Sequence, residues 1–139
     1  MKTESSSRGA DGKLQSGPHR EFFKDGSVSC EGRHAKGERT GEWKFYLKNG
    51  GLRATGKFAK GEIHGPWKWY RENGELMQTG EFKNGERCGV WTRYRANGTK
   101  YDAGRYAGEK KVGEWKTYDA TGKVAKTRKF NDTKLTVIT

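Results

Sequence analysis

The side chains in this sequence that could do chemistry are cations and aromatic rings set at regular intervals. Lys44, Lys68 and Lys116 recur in one column, with Thr92 in the place between. Arg33, Lys57, Arg105 and Lys129 recur in a second, which Glu81 interrupts. Tyr46, Tyr70, Tyr94 and Tyr118 make a third, and Arg71 and Arg95 follow two of them directly. Regularly spaced cations beside tyrosine rings suit an acidic protein surface or a polyanion. The expected partner-binding set is therefore Lys44, Tyr46, Lys57, Lys68, Tyr70, Arg71, Tyr94, Arg95, Arg105, Lys116 and Tyr118. The competing reading is a solvated strand face whose lysines blunt the sheet edges. Overall charge agrees with a binding role: 29 Lys and Arg stand against 17 Asp and Glu, a formal net charge of +12. Such a surface draws acidic protein, anionic membrane or nucleic acid.

Catalytic chemistry finds little support. His19, His34 and His64 are scattered, and neither a nucleophile nor a carboxylate pair stands beside them at useful spacing. Glu38, Glu62, Glu86 and Glu109 recur after a turn glycine and read as solvated turn chemistry. The glycines never form a phosphate loop followed by a helix with Lys-Ser/Thr. No metal-ligand cluster is spelled out either. The expectation is a non-enzyme with no catalytic, cofactor-binding or metal-binding residue. Cys30 and Cys88 lie at different positions and outside any Cys-x-x-Cys pair, so neither a disulfide framework nor a zinc site is expected. That cysteine usage, the lack of an apolar signal-like run in residues 1–16 and the lack of any membrane-spanning apolar stretch predict a cytoplasmic protein.

The elements that position these residues come from a repeat. Only 30% of residues are hydrophobic, yet 12% are aromatic and Gly numbers 21. That inventory cannot fill a two-layer core, but it suits an array that buries rings between neighbouring units. Five units of 24 residues start at Gly17, Gly41, Gly65, Gly89 and Gly113. The third position is His19, Trp43, Trp67, Trp91 and Trp115, and a hairpin glycine recurs at Gly26, Gly50, Gly74, Gly98 and Gly122. A mid-strand glycine follows at Gly32, Gly56, Gly80 and Gly104, with Arg128 in the last unit; two residues on come His34, Phe58, Phe82, Tyr106 and Phe130. Concordance over that many columns marks a repeat architecture.

Each unit reads as strand, turn, strand, Gly-containing loop. Asn73-Gly74 predicts a type I′ hairpin turn. The fold class is all-β: an elongated, single-layer antiparallel meander of about five β-hairpin units, on the order of 50 Å long at the usual strand spacing. Residues 1–16 form an expected flexible tail, and 17–139 the repeat domain. Strand alternation puts the Trp and Phe58 columns on one face as an aromatic spine, and the cationic and Tyr columns on the other unless a bulge intervenes. The mid-strand glycine should leave a slot for an indole from the neighbouring strand. A local irregularity is expected around Gly108, where the turn spacing shifts by one residue, and Leu135, Val137 and Ile138 could add a closing strand.

The pattern Gly-x-Trp-x-x-Tyr-x-x-(Asn/Asp)-Gly-x-Leu-x-x-x-Gly-x-Phe-x-x-Gly resembles the MORN-repeat variant found in bacterial YwqK-type antitoxins. The resemblance covers residues 17 to about 130 and is strongest over 41–64 and 65–88. It departs at His19, Lys100 and Arg128. It implies a non-enzymatic immunity protein that binds a cognate toxin in the cytoplasm and occludes it. Related MORN repeats imply an alternative, a peripheral binder of anionic lipid or a protein-interaction scaffold. Nucleic acid is the least favoured partner, because the aromatics are better used in the repeat's own packing.

Overall fold

A computed structural model describes residues 14–130. The proposed closing strand at Leu135, Val137 and Ile138, and residues 1–13 of the expected tail, lie outside the described residues. Ten strands follow one another: β1 (Gly17–Phe22), β2 (Val28–Ala35), β3 (Glu38–Tyr46), β4 (Leu52–Ala59), β5 (Glu62–Tyr70), β6 (Leu76–Lys83), β7 (Glu86–Tyr94), β8 (Lys100–Ala107), β9 (Lys110–Tyr118) and β10 (Val124–Phe130). They make one open sheet in sequence order, every neighbour antiparallel, as the repeat predicts.

The two kinds of turn differ from expectation. Asn73-Gly74 is not type I′: only Gly74 has positive φ (+91°). Gly74 N–H donates to Arg71 O at 2.8 Å and Arg71 N–H to Glu75 O at 2.7 Å, the pattern of a three-residue loop closed by a left-handed glycine. Asn73 serves through its side chain, with Oδ1 accepting from Glu75 N–H at 2.9 Å. Two consecutive positive φ values occur instead at the turns between units, Lys36-Gly37, Lys60-Gly61, Asn84-Gly85 and Gly108-Glu109. The irregularity expected near Gly108 is absent from the register, since Ala107↔Lys110 pairs as Ala59↔Glu62 does. The glycine has only moved to the first turn position, which leaves Glu109 at φ +73°.

The leading glycines of the second to fifth units lie inside strands. Thr55 pairs with Lys68 and Lys57 with His64, so Gly65, Pro66 and Trp67 together oppose Gly56. Gly65 takes φ +74° to make this bulge. The bulge drops the Trp67 indole onto the bare backbone at Gly56, where Trp67 Nε1 donates to Lys57 O at 3.1 Å. The same arrangement sets Trp43 on Gly32, Trp91 on Gly80 and Trp115 on Gly104. Their indole donors reach Arg33 O, Glu81 O and Arg105 O. In each case the indole comes from the following unit and locks consecutive hairpins together.

These rings continue as an edge-to-face chain along the sheet. Trp43–Phe58, Phe58–Trp67, Phe82–Trp91, Trp91–Tyr106 and Tyr106–Trp115 have centroids 5.9, 5.5, 5.1, 5.7 and 5.1 Å apart. His19 and His34 prolong the chain at the N-terminal end, 4.5 Å apart. Phe45 and Trp69 pack alongside, so Trp43 is fully buried (0% exposed) although the sheet has a single layer. The core is the spine itself.

Candidate binding surface

On the face opposite the spine, cross-strand pairing aligns Glu31, Lys44, Thr55, Lys68, Thr79, Thr92, Ala103 and Lys116 in one row. Lys57 stands between Glu42 and His64, and Arg105 between Val90 and Val112. Lys44, Lys57, Lys68 and Arg105 are exposed and Lys116 is half-buried. Threonines alternate with the lysines, so the row is a spaced series of cations.

Tyr46 shares this face. A bulge does lie beside it, but its extra residue, Arg53, belongs to β4, so the alternation of β3 is undisturbed. The Tyr46 hydroxyl donates to Glu31 in a short hydrogen bond, and Arg20 Nε donates to the other Glu31 oxygen at 3.0 Å. Burial, then the hydrogen bond and charge of Glu31, push the Tyr46 hydroxyl up to about 12. The Tyr46 hydrogen bond, helped by Arg20, holds the Glu31 carboxyl below its ordinary value. Tyr46 is thereby committed to this bond. A depression of about 580 Å³ lies nearby, between Pro18, Arg20, Glu31, Arg33, Glu42 and Lys44.

Arg71, Tyr94 and Arg95 are brought together elsewhere, at the hairpin ends of β5, β7 and β8. Arg71 Nη2 donates to Tyr94 O at 2.8 Å and Arg95 Nη2 to Tyr118 O at 2.6 Å. With Met77, Ala96 and Tyr101 they line a groove of about 540 Å³. The expected binding set therefore falls into two groups: a lysine row with Tyr46 on one face, and an arginine groove at the hairpin ends. Tyr70 and Tyr118 end β5 and β9, half-buried, and Lys100 Nζ lies 5.9 Å from the Tyr118 ring centroid.

The arginine groove shares Gln78 and Arg93 with a second groove, of about 590 Å³, on the aromatic face. Trp69, Phe82, Trp91, Tyr106 and Trp115 contribute rings to its wall. It lies where the fourth unit departs from the second and third. Arg93 stands where the second and third units have Phe45 and Trp69, and its cross-strand partner Asp102 stands where they have Ala54 and Gln78. The two form a two-pronged ion pair, Nε to Oδ1 at 2.9 Å and Nη2 to Oδ2 at 2.6 Å. A further column, Arg39, Ile63, Arg87 and Lys111, lies over the spine. The Arg39 guanidinium is 4.7 Å from the Trp43 centroid, that of Arg87 5.1 Å from Tyr106, and Lys111 Nζ 4.6 Å from Trp115. Arg87 also pairs with Glu109 at 3.4 Å.

Sequence reasoning missed Arg87, Arg93, Asp102 and Lys111. The signal was present in the columns: Glu21, Phe45, Trp69, Arg93, Thr117 carries a ring only in the second and third units and turns cationic in the fourth. Among the described residues, no group of three or more His, Cys, Asp and Glu is placed to hold a metal ion, and no helix is long and apolar enough to cross a membrane. Cys30 and Cys88 are free thiols, both pushed up chiefly by burial.

Three stretches of the chain, residues 39–60, 63–84 and 111–132, match the MORN repeat variant family. The unmatched interval between the second and third holds the unit that carries Arg93 and Asp102. A comparison with curated proteins returns no match. Among solved structures, a crystal structure of a S. aureus TarM mutant in complex with fondaparinux, alpha-GlcNAc-glycerol and UDP aligns at 14% identity and a TM-score of 0.44, covering 79% of this chain. The chain spans about a fifth of that protein's length (21%). MORN repeats suggest a binding or scaffold role.

Proposed function

We propose that this chain is a non-enzymatic immunity protein that binds a cognate toxin and neutralises it by covering its active surface. The three matches to the MORN repeat variant support the binding role, and the resemblance of the repeat to YwqK-type antitoxins supports the finer reading. The observation that carries a protein partner is the pair of joined grooves at Gln78 and Arg93. There the ring that the second and third units pack into the spine, Phe45 and Trp69, is replaced by a part-exposed ion pair.

The mechanism is steric. The hairpins are interlocked before binding, which lowers the ordering entropy that opposes association. The net charge of +12 speeds the encounter with an acidic partner surface. Co-expression with the protein encoded by the neighbouring reading frame tests this: growth rescue and co-purification are expected. Unrelieved toxicity, or no complex, would refute it.

A second reading draws on the exposed lysine row, in which Lys44, Lys57 and Lys68 could meet anionic headgroups. Sedimentation with vesicles, with and without acidic lipid, tests it. Binding indifferent to lipid charge excludes it.

A further inference from the structure

We propose that the groove between Arg71 and Arg95 is the seat of an acidic segment of the partner protein. Carboxylates would meet the two guanidinium groups, and an apolar side chain would rest on Met77 and Tyr101. This deepens the protein-binding reading above and rests on it.

The first argument is that the repeat does not require arginine here. Backbone bonds make Leu47 the equivalent of Arg71: Leu47 N–H donates to Gly51 O as Arg71 N–H does to Glu75 O. The same position is Phe23 in the first unit and Asp119 in the last. An apolar or an acidic side chain also closes this hairpin, so the turn itself does not require arginine at two consecutive units.

The second argument is the state of these side chains. Each guanidinium is pinned by one bond to a backbone carbonyl, Tyr94 O or Tyr118 O, while its Nε is buried without a hydrogen-bond partner among the described residues. The ion pairs among the described residues involve His19, Arg20, Arg87 and Arg93, so no acid among the described residues neutralises Arg71 or Arg95. The buried Nε cannot reach an incoming group, but each guanidinium keeps Nη donors beyond the one bonded to the carbonyl, and these suit carboxylates.

The third argument is the apolar floor. Met77 and Tyr101 are large apolar side chains left 37% and 38% exposed. Both sit at strand bulges, so the fold holds them outward. Arg93 and Arg95 flank the Tyr101 ring at 4.9 and 5.0 Å. Arginine, tyrosine and methionine are the residue types enriched at protein interfaces. A nucleic acid or headgroup phosphate would use the cations and gain little from the thioether, so the combination favours a protein segment.

The test titrates the full chain with a labelled, acetylated peptide of alternating glutamate and phenylalanine at physiological salt. The peptide should bind with shifts at Met77 and Tyr101, and its glutamine counterpart should not. Arg71→Gln with Arg95→Gln should weaken binding at least about tenfold, a change of about 1.4 kcal/mol. Met77→Glu, at an exposed position that cannot unfold the sheet, should do the same by repulsion. Lys83→Gln with Lys110→Gln, at the opposite ends of the strands, should leave affinity within about twofold, as expected for exposed charges outside an interface. No binding of the acidic peptide, equal binding of its glutamine counterpart, or full affinity of the Met77→Glu variant would overturn the proposal. Preferential binding of an oligonucleotide or of anionic vesicles at these residues would also overturn it. If the arginine double variant still co-purifies with the toxin and rescues growth, this seat is wrong while the immunity reading stands.

Discussion

The indole of Trp67 occupies the space a side chain on Gly56 would need: a Cβ there would lie 2.1 Å from Trp67 Cδ2. The two residues belong to successive units and meet only because the Gly65 bulge lets the ring drop onto the neighbouring strand. A glycine in one hairpin and a tryptophan in the next are thus one device. Repeated at Gly32, Gly80 and Gly104, it is what gives a single-layer sheet a core.

Gly56→Ala should therefore destabilise the chain by about 1–3 kcal/mol, the range for forcing an extra methyl group into a packed site. Trp67→Ala should cost about 3–5 kcal/mol, as for loss of a buried aromatic side chain. Denaturant unfolding monitored by tryptophan fluorescence and far-UV circular dichroism measures both. Gly104→Ala should cost less, because Trp115 is only half-buried and can give way.

Much of this was legible from the residues. The Trp and Gly columns, the shared face of Trp43 and Phe58 and the strand order follow from a regular repeat with strict alternation. The bulge was not legible, because Gly-x-Trp at the start of a unit looks like the start of a strand. It is the middle of one, since β5 begins at Glu62. The turn assignment failed because Asn-Gly serves either a two-residue turn or a three-residue loop, and only the pairing decides. For the candidate site, column reasoning singled out Arg71, Tyr94 and Arg95 but placed them with the lysines. Arg93 and Asp102 were overlooked because a reading that seeks recurrence discounts the unit that breaks it.

Restoring the repeat in the fourth unit should separate stability from binding. Arg93→Phe with Asp102→Ala replaces a part-exposed ion pair by the ring and methyl found in the second unit. The thermal midpoint should rise, because exposed pairs contribute only about 0–1 kcal/mol, whereas a buried aromatic ring contributes more. Partner binding should fall, since the joined grooves lose their central charge. Calorimetry and a binding titration on the same variant check both.

The turn at Gly108-Glu109 should be suboptimal. Glu109 sits at φ +73°, where a side chain costs about 1–2 kcal/mol relative to glycine. Gly108→Asn with Glu109→Gly recreates the Asn84-Gly85 turn and should stabilise by about 1 kcal/mol, reduced by loss of the Arg87–Glu109 ion pair. Denaturation midpoints decide it.

Tyr46 should titrate late. Tyr46 holds its proton to about 12, above the ordinary 10.0, so the folded state binds that proton where the unfolded state has lost it. Its contribution is complete below pH 10 and disappears as pH rises towards 12. Glu31 acts in the opposite sense: its lowered carboxyl contributes above its ordinary value and is lost on acidification. Absorbance titration of tyrosinate should show the late component, and Glu31→Gln should move it back towards the ordinary range.

Hydrogen exchange of the five indole N–H groups tests the interlock most directly. Trp43, Trp67, Trp91 and Trp115 each donate to a backbone carbonyl from inside or beside a glycine slot, whereas Trp69 makes no such bond among the described residues. Four slow indole protons, slowest at Trp43 and Trp67, and one fast proton at Trp69 are the predicted result. Five indoles exchanging alike, or Trp69 among the slowest, would contradict a sheet held together by tryptophans seated on the glycines of the preceding unit.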